Sequence, residues 1–198
     1  MAQDSKQDQI IEAAKKRFIH FGVAKTTMNE IADDLGISKA SLYYYFPDKL
    51  NLYAAVLSQI IEVEDIRRNV FEDHLDPETA IFNYLDNRIR FINKYYNILE
   101  YIQSSNAQNS QELKPVFTRV RSRQLETLHR IIMSGKNKGL LHTPHPESTA
   151  ELFLDCLEGL RAGMMAQQNE FFPGKKIFQA ILKREKALAS IFLKGLRP

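Results

Sequence analysis

Thr27-Met28-Asn29-Glu30-Ile31-Ala32-Asp33-Asp34-Leu35-Gly36-Ile37-Ser38-Lys39-Ala40-Ser41-Leu42-Tyr43-Tyr44-Tyr45-Phe46 spells two short helices joined by a tight turn at Leu35-Gly36-Ile37. That is the helix-turn-helix shape, which lays its second helix in a DNA major groove. Ile31 and Leu35 fall four apart on the inner face of the first helix, and Ala32 is small where the two helices must approach. Gly36 is placed to end that helix with a positive φ, which a residue without Cβ adopts at no steric cost. Ile37, Leu42 and Phe46 close the small core from the other side. Ser38 stands at the N-cap position, its hydroxyl set to accept the amide of Ser41. Lys39, Ser41, Tyr43 and Tyr44 are left facing outward, with no acidic residue among them.

Two further features narrow the reading. Thr26-Thr27 caps the first helix and offers hydroxyls where a phosphate would pass, and Leu42-Tyr43-Tyr44-Tyr45-Phe46-Pro47-Asp48-Lys49 is dense in aromatics where a polar face is usual. From about Gln9 to Leu57 the chain resembles the TetR (tetracycline-repressor) family of bacterial transcription regulators. The resemblance is carried by Ile10-Ile11, Ala14, Phe18, Phe21-Gly22, Thr26-Thr27, Ile31-Ala32, Gly36-Ile37-Ser38, Leu42-Tyr43, Phe46, Lys49 and Leu52, three helices in register. It departs from the commonest pattern at Ala40, where Gly is frequent, and at Tyr45, where His is frequent.

The 198 residues suffice for one sizeable core or two small domains, and 44% apolar with 26% charged content is ordinary for a globular protein. Net charge is only +3, and the first sixty residues balance seven Lys or Arg against seven Asp or Glu. DNA binding then depends on where the cations stand rather than on bulk charge. A single cysteine, Cys156, excludes an intramolecular disulfide and fits a reducing cytoplasm. No secretory leader and no apolar run long enough for a membrane span can be read.

The apolar periodicity predicts an all-α chain of about nine helices: a three-helix head and a larger helical body. The opening helix covers Lys6 to Phe21, stopped by Gly22. A linking helix follows over 48–72, its apolar face too wide for the head alone to cover. Asp76-Pro77-Glu78 is a strong helix start, with Pro at the first position and acids in the first turn. Residues 104–110 read as a loop, a helix follows Pro115, another runs from Glu147 to Gln168, Phe171-Phe172-Pro173-Gly174 breaks the chain, and the last covers Lys175 to Leu193. The DNA-binding domain is expected over 1–47 and the effector-binding and dimerisation domain over 48–198.

The last two helices are apolar around most of their circumference, with a seam of small residues at Gly159, Ala162, Gly163 and Ala166. They fit a homodimer built as a four-helix bundle, with Leu152, Gly159, Gly163, Ile181 and Leu188 at the interface, against the plainer reading as monomer core. The resemblance implies the same pairing and a reason for it: two heads meet half-sites of a palindromic operator roughly 34–36 Å apart.

DNA contacts are expected from Thr26, Thr27, Ser38, Lys39, Ser41, Tyr43, Tyr44 and Lys49, with Lys49 clamping a phosphate. The resemblance also implies a small effector, here a hydrophobic one, in a pocket for which Phe82, Phe91, Tyr95, Tyr101, Phe117 and Phe153 are candidates. The chain then reads as a cytoplasmic, nucleoid-associated, ligand-responsive regulator acting as a repressor. The alternative is a helical interaction scaffold without DNA activity. Nothing suggests an enzyme or a cofactor: no phosphate loop, GxSxG elbow, HExxH or paired CxxC is present. His142 and His145 are three apart, but Pro144 and Pro146 bracket His145 and no cysteine completes a metal site.

Overall fold

The structure is a computed structural model that describes residues 2–68, 75–103, 110–167 and 175–198. Among these the chain forms nine α-helices, one 3₁₀ turn and no strand. In chain order they are α1 (Ala2–Phe21), α2 (Met28–Asp34), α3 (Lys39–Tyr45), α4 (Lys49–Arg68), α5 (Pro77–Lys94), α6 (Tyr96–Leu99), the 3₁₀ turn Glu100–Gln103, α7 (Lys114–Asn137), α8 (Pro146–Ala166) and α9 (Lys175–Lys194). The expected loop over 104–109, the Phe171–Gly174 break, the end of the linking helix over 69–72 and the helix end at Gln168 lie outside the described residues. The opening helix begins four residues before the predicted Lys6.

Two compact units are present: Met1–Val70 with Tyr95–Arg119, and Phe71–Lys94 with Val120–Pro198. They do not divide at Pro47, because α4 and α6 pack with the head. In this first unit Ile10, Ala14 and Phe18 of α1, Ile31 and Ala32 of α2, Leu42 of α3, and Leu52, Tyr53 and Val56 of α4 are sealed from solvent. Each large side chain so buried contributes about 1.5–3 kcal/mol. The wide apolar face of α4 is largely buried, and the segment around α6, whose Ile98 is fully buried, meets α4 at Tyr53 and Glu64. Polar contacts fix that segment: the Tyr53 hydroxyl donates to Ile98 O at 2.7 Å and Asn97 Nδ2 donates to Ile19 O at 2.8 Å. Burial pushes the Tyr53 hydroxyl far above its usual pKa, so it remains a donor.

The second unit is built on Ile81 and Leu85 of α5, Leu128, Ile131 and Ile132 of α7, Phe153, Leu154 and Leu157 of α8, and Ala189 and Leu193 of α9. Asp76 caps α5 as its sequence signature predicts, accepting from the amides of Glu78 (3.0 Å) and Thr79 (3.1 Å), with Pro77 as the first helical residue. Gly135 is required by close approach: a Cβ there would lie 2.6 Å from Pro77 Cγ and 2.7 Å from Leu141 Cδ1. Among the described residues no helix is long and apolar enough to cross a membrane.

Candidate nucleic-acid interface

The turn between α2 and α3 has the predicted construction. Gly36 takes φ +61°, Ile37 N donates to Ala32 O at 3.1 Å and Gly36 N to Asp33 O at 3.1 Å, the paired bonds of a Schellman ending. Ser38 follows in extended backbone, and its Oγ accepts from Ser41 N at 3.1 Å. With Leu42 fully buried and Phe46 nearly so, α3 is pinned by one side. The other side is open: Ser38, Lys39 and Ala40 are exposed, as are Tyr43 (46%) and Tyr44 (74%), while Ser41 is half-buried. Tyr45, at the departure from the family pattern, is half-buried with Tyr44 edge-on to it, ring centroids 5.3 Å apart. The open face therefore presents one ammonium, hydroxyl donors and two aromatic rings.

Two of the expected DNA contacts, Thr26 and Lys49, are corrected by this geometry, while Thr27 caps α2 and stays exposed. Thr26 is 1% exposed and its hydroxyl donates to Gly22 O at 2.9 Å, so it closes the end of α1 and offers no hydroxyl to a phosphate. Thr27 caps α2 in a reciprocal capping box: its Oγ1 accepts from Glu30 N at 3.3 Å and donates to Glu30 Oε2 at 2.8 Å, and its own amide donates to Glu30 Oε2 at 2.7 Å. That pairing, through the Thr27 amide first, holds the Glu30 carboxyl below its usual pKa.

Lys49 is the second correction. Its Nζ donates to three carbonyls of the segment between α1 and α2: Val23 O (3.0 Å), Thr26 O (3.1 Å) and Ala24 O (3.4 Å). It also sits 5.9 Å from the Tyr101 ring centroid, and burial lowers its pKa. The ammonium is a staple for the head, not a clamp for DNA. Arg17 is likewise committed, its Nη2 donating to Asp34 Oδ1 at 2.8 Å. Lys49→Ala is accordingly expected to lower the unfolding free energy by about 1.5–3 kcal/mol while leaving the salt dependence of any DNA binding unchanged. Chemical denaturation and a salt-titrated anisotropy assay check the two halves; a salt slope lower by about one would return Lys49 to the interface.

The other expected sites separate as well. Of the six effector candidates, Tyr95, Tyr101 and Phe117 belong to the first unit and Phe82, Phe91 and Phe153 to the second. Phe153 is fully buried against Phe192, ring centroids 4.7 Å apart, and serves as core. Tyr95 donates to Glu64 Oε1 at 3.0 Å, and Tyr101 lies edge-on to Tyr53 at 5.1 Å. Of the interface candidates, Ile181 is 2% exposed and Leu188 is half-buried on the second unit's core, so both face inward. Leu152 is 57% exposed, and a Cβ placed on Gly159 or Gly163 would meet no atom of the chain within 4 Å. Periodicity missed what stands beside them on α9, where Ala180, Arg184, Ala187 and Ile191 form an exposed stripe at three- and four-residue steps. Ile191 is 70% exposed.

Residues 10–56 match the family described as bacterial regulatory proteins, tetR family. The HTH-type transcriptional regulator RutR of Escherichia coli K12 is 38% identical over 84 residues, 42% of this chain and 40% of that protein. The chain thus matches well under half the length of that curated relative. A transcriptional regulator from Cytophaga hutchinsonii superposes with a TM-score of 0.82 at 29% identity, covering 98% of this chain and 99% of that one. A transcriptional regulator from Saccharomonospora viridis, solved in complex with choline, shares the fold with a TM-score of 0.63 at 14% identity over 96% of each chain.

Proposed function

The chain belongs to the TetR family of bacterial regulatory proteins, and on that premise we propose that it is a ligand-responsive transcriptional regulator, a repressor, that binds a palindromic operator as a homodimer. It is a binding protein and not an enzyme. Residues 1–47 take the DNA-binding role and 48–198 the effector-binding and dimerisation role, in the cytoplasm with the DNA it reads.

One observation carries this reading: α3 is anchored through Leu42 and leaves Lys39, Tyr43 and Tyr44 exposed on its other side. Lys39 can donate to guanine O6 and N7 or to a phosphate. The tyrosines can donate to phosphates or lie against thymine methyls, and Ser38 and Ser41 add hydroxyls at the helix start. Selection from a pool of random duplexes tests the reading. An inverted repeat should be enriched, with half-site centres about 10 base pairs apart or a multiple of that. Recovery of no preferred sequence would favour the scaffold reading.

The dimer is proposed to form through the exposed faces of α8 and α9. Leu152, Gly159, Ala162, Gly163 and Ala166 give α8 a low surface on which a second helix can lie close, and Ala187 and Ile191 extend the apolar area on α9. A C2 pairing sets each patch against its own copy and removes Leu152 and Ile191 from water. A Cβ at Gly163 has open space, so Gly163→Leu should leave helix content unchanged while converting the dimer to a monomer in sedimentation equilibrium. A Gly163→Leu protein that remains dimeric would place the interface elsewhere.

Regulation follows if an effector binds more tightly to a dimer whose heads are mis-spaced for the operator than to the DNA-competent one. An effector with equal affinity for both shifts nothing.

A further inference from the structure

The sequence Lys183-Arg184-Glu185-Lys186 looks like a solvated stretch of helix, yet Glu185 is 0% exposed. Its carboxylate, on α9, accepts from Arg88 Nη1 of α5 at 3.1 and 3.3 Å and from Arg161 Nε of α8. The two arginine side chains are only 18% and 12% exposed. Two guanidinium groups share one carboxylate, leaving one positive charge in excess within the second unit.

The surrounding ionic groups do not supply the missing charge. Lys186 is paired with Asp86 at 2.7 Å. Glu158 and Asp155 are engaged by Arg121, and with carboxylates 40% and 60% exposed they are screened by water. Two polar groups in the cluster, the Tyr84 hydroxyl and Arg161 Nη2, are sealed from solvent and make no well-aligned hydrogen bond, although the Arg161 side chain lies close enough to Tyr84 to pull its hydroxyl pKa down against the larger effect of burial. Folded proteins seldom leave such groups unmet, because each costs about 1–3 kcal/mol and more when charged. Desolvation, together with the second guanidinium, brings Arg88 down to about 10, and desolvation pushes the Tyr84 hydroxyl up.

What is short here is one negative charge and a pair of oxygen acceptors. A carboxylate supplies both in the planar form that a guanidinium fits, and a dianion such as phosphate would overfill the charge. The flanking positions on the same helices are apolar and buried: Leu85 and Ile89 on α5, Leu157 on α8, Ile181 and Ala189 on α9. We propose that Arg161 Nη2 and the Tyr84 hydroxyl, backed by Arg88, bind the carboxylate of a small apolar monocarboxylic acid, and that this acid is the effector. The proposal rests on the regulator reading above and gives its hydrophobic effector a charged end.

The test uses the full chain, a series of n-alkanoates from acetate to decanoate with benzoate, and the matching primary amides. Calorimetry and thermal shift read binding, and fluorescence anisotropy on the selected duplex reads release. At least one acid should bind, raise Tm and weaken DNA binding, with its amide about tenfold weaker or worse. Tyr84→Phe, which keeps shape and both ion pairs, should have an unchanged or higher Tm without acid and bind the acid about tenfold more weakly. Arg161→Lys should lose binding further.

No heat or Tm shift with any acid, amides that bind as well as acids, or undiminished acid affinity in Tyr84→Phe would each overturn the site. A cluster that merely locks three helices predicts that last result. Duplex binding is measured first without acid, which separates the two readings: a protein that binds its duplex and ignores every acid loses only the anion site. One that binds no duplex loses the regulator reading itself.

Discussion

A Lys39→Ala, Tyr44→Ala double variant is expected to fold as the parent does and to lose about a thousandfold in operator affinity. Both side chains are exposed on α3, with Tyr44 at 74%, and neither contributes to the buried side that holds the helix in place. Surface substitutions of this kind change stability by about 0.5 kcal/mol or less. A base or phosphate contact contributes about 1–3 kcal/mol. Two such residues on each of two heads remove roughly 4 kcal/mol even at the lower end, which is about a thousandfold. Circular dichroism and anisotropy titration measure the two effects together. The single variants divide the loss: Lys39→Ala should reduce the salt slope by about one per head if it meets a phosphate, and relax preference at one base pair if it meets guanine.

The largest loss of stability is expected at a residue with no apparent role in the sequence. Glu185→Gln keeps the size of the side chain and removes the one negative charge that Arg88 and Arg161 share. Breaking a buried ion pair from one side costs about 3–5 kcal/mol, because the partner charges remain buried and uncompensated. For a chain of this length that corresponds to a fall in Tm of roughly 6–20 °C. Asp86→Asn provides the contrast. Its pair with Lys186 is part-exposed, 37% and 29%, so its loss should cost about 1 kcal/mol or less. Equal effects at Glu185 and Asp86 would mean that the buried triad carries no special load.

The features that could be read from the chain are those fixed by near neighbours. The positive φ of Gly36, the Ser38 cap and the Asp76-Pro77 start each depend on residues within five positions, and each is present in the fold. The buried side of α3 was legible because Leu42 and Phe46 repeat at helical spacing. Partnership across the chain was not. Lys49 looked like a phosphate clamp because the carbonyls it binds lie 23 to 26 residues away and carry no side-chain signature. Thr26 did carry a signal, four residues after Gly22 and within reach of its carbonyl.

Glu185 carried one too. Ile181, Glu185 and Ala189 fall four apart on the buried stripe of α9, so the helical period places the carboxylate inside although its neighbours are charged. The same period turns Ile181 inward and leaves Ala187 and Ile191 outside, which reverses part of the expected dimer face. Apolar residues all round a helix tell that both sides are covered without telling by which chain. The effector aromatics failed for a related reason: helical spacing cannot distinguish a ring that lines a ligand from one that fills a core, and Phe153 fills a core.

Quantitative footprinting of the full-length protein on its selected duplex tests most directly whether α3 reads DNA. Two protected half-sites related by two-fold symmetry should appear, with centres about one helical turn or a multiple of it apart, and both should vanish together in the Lys39→Ala, Tyr44→Ala variant. Protection that persists in the folded variant, or no protection with the parent protein at low salt, would contradict the assignment of this face to DNA.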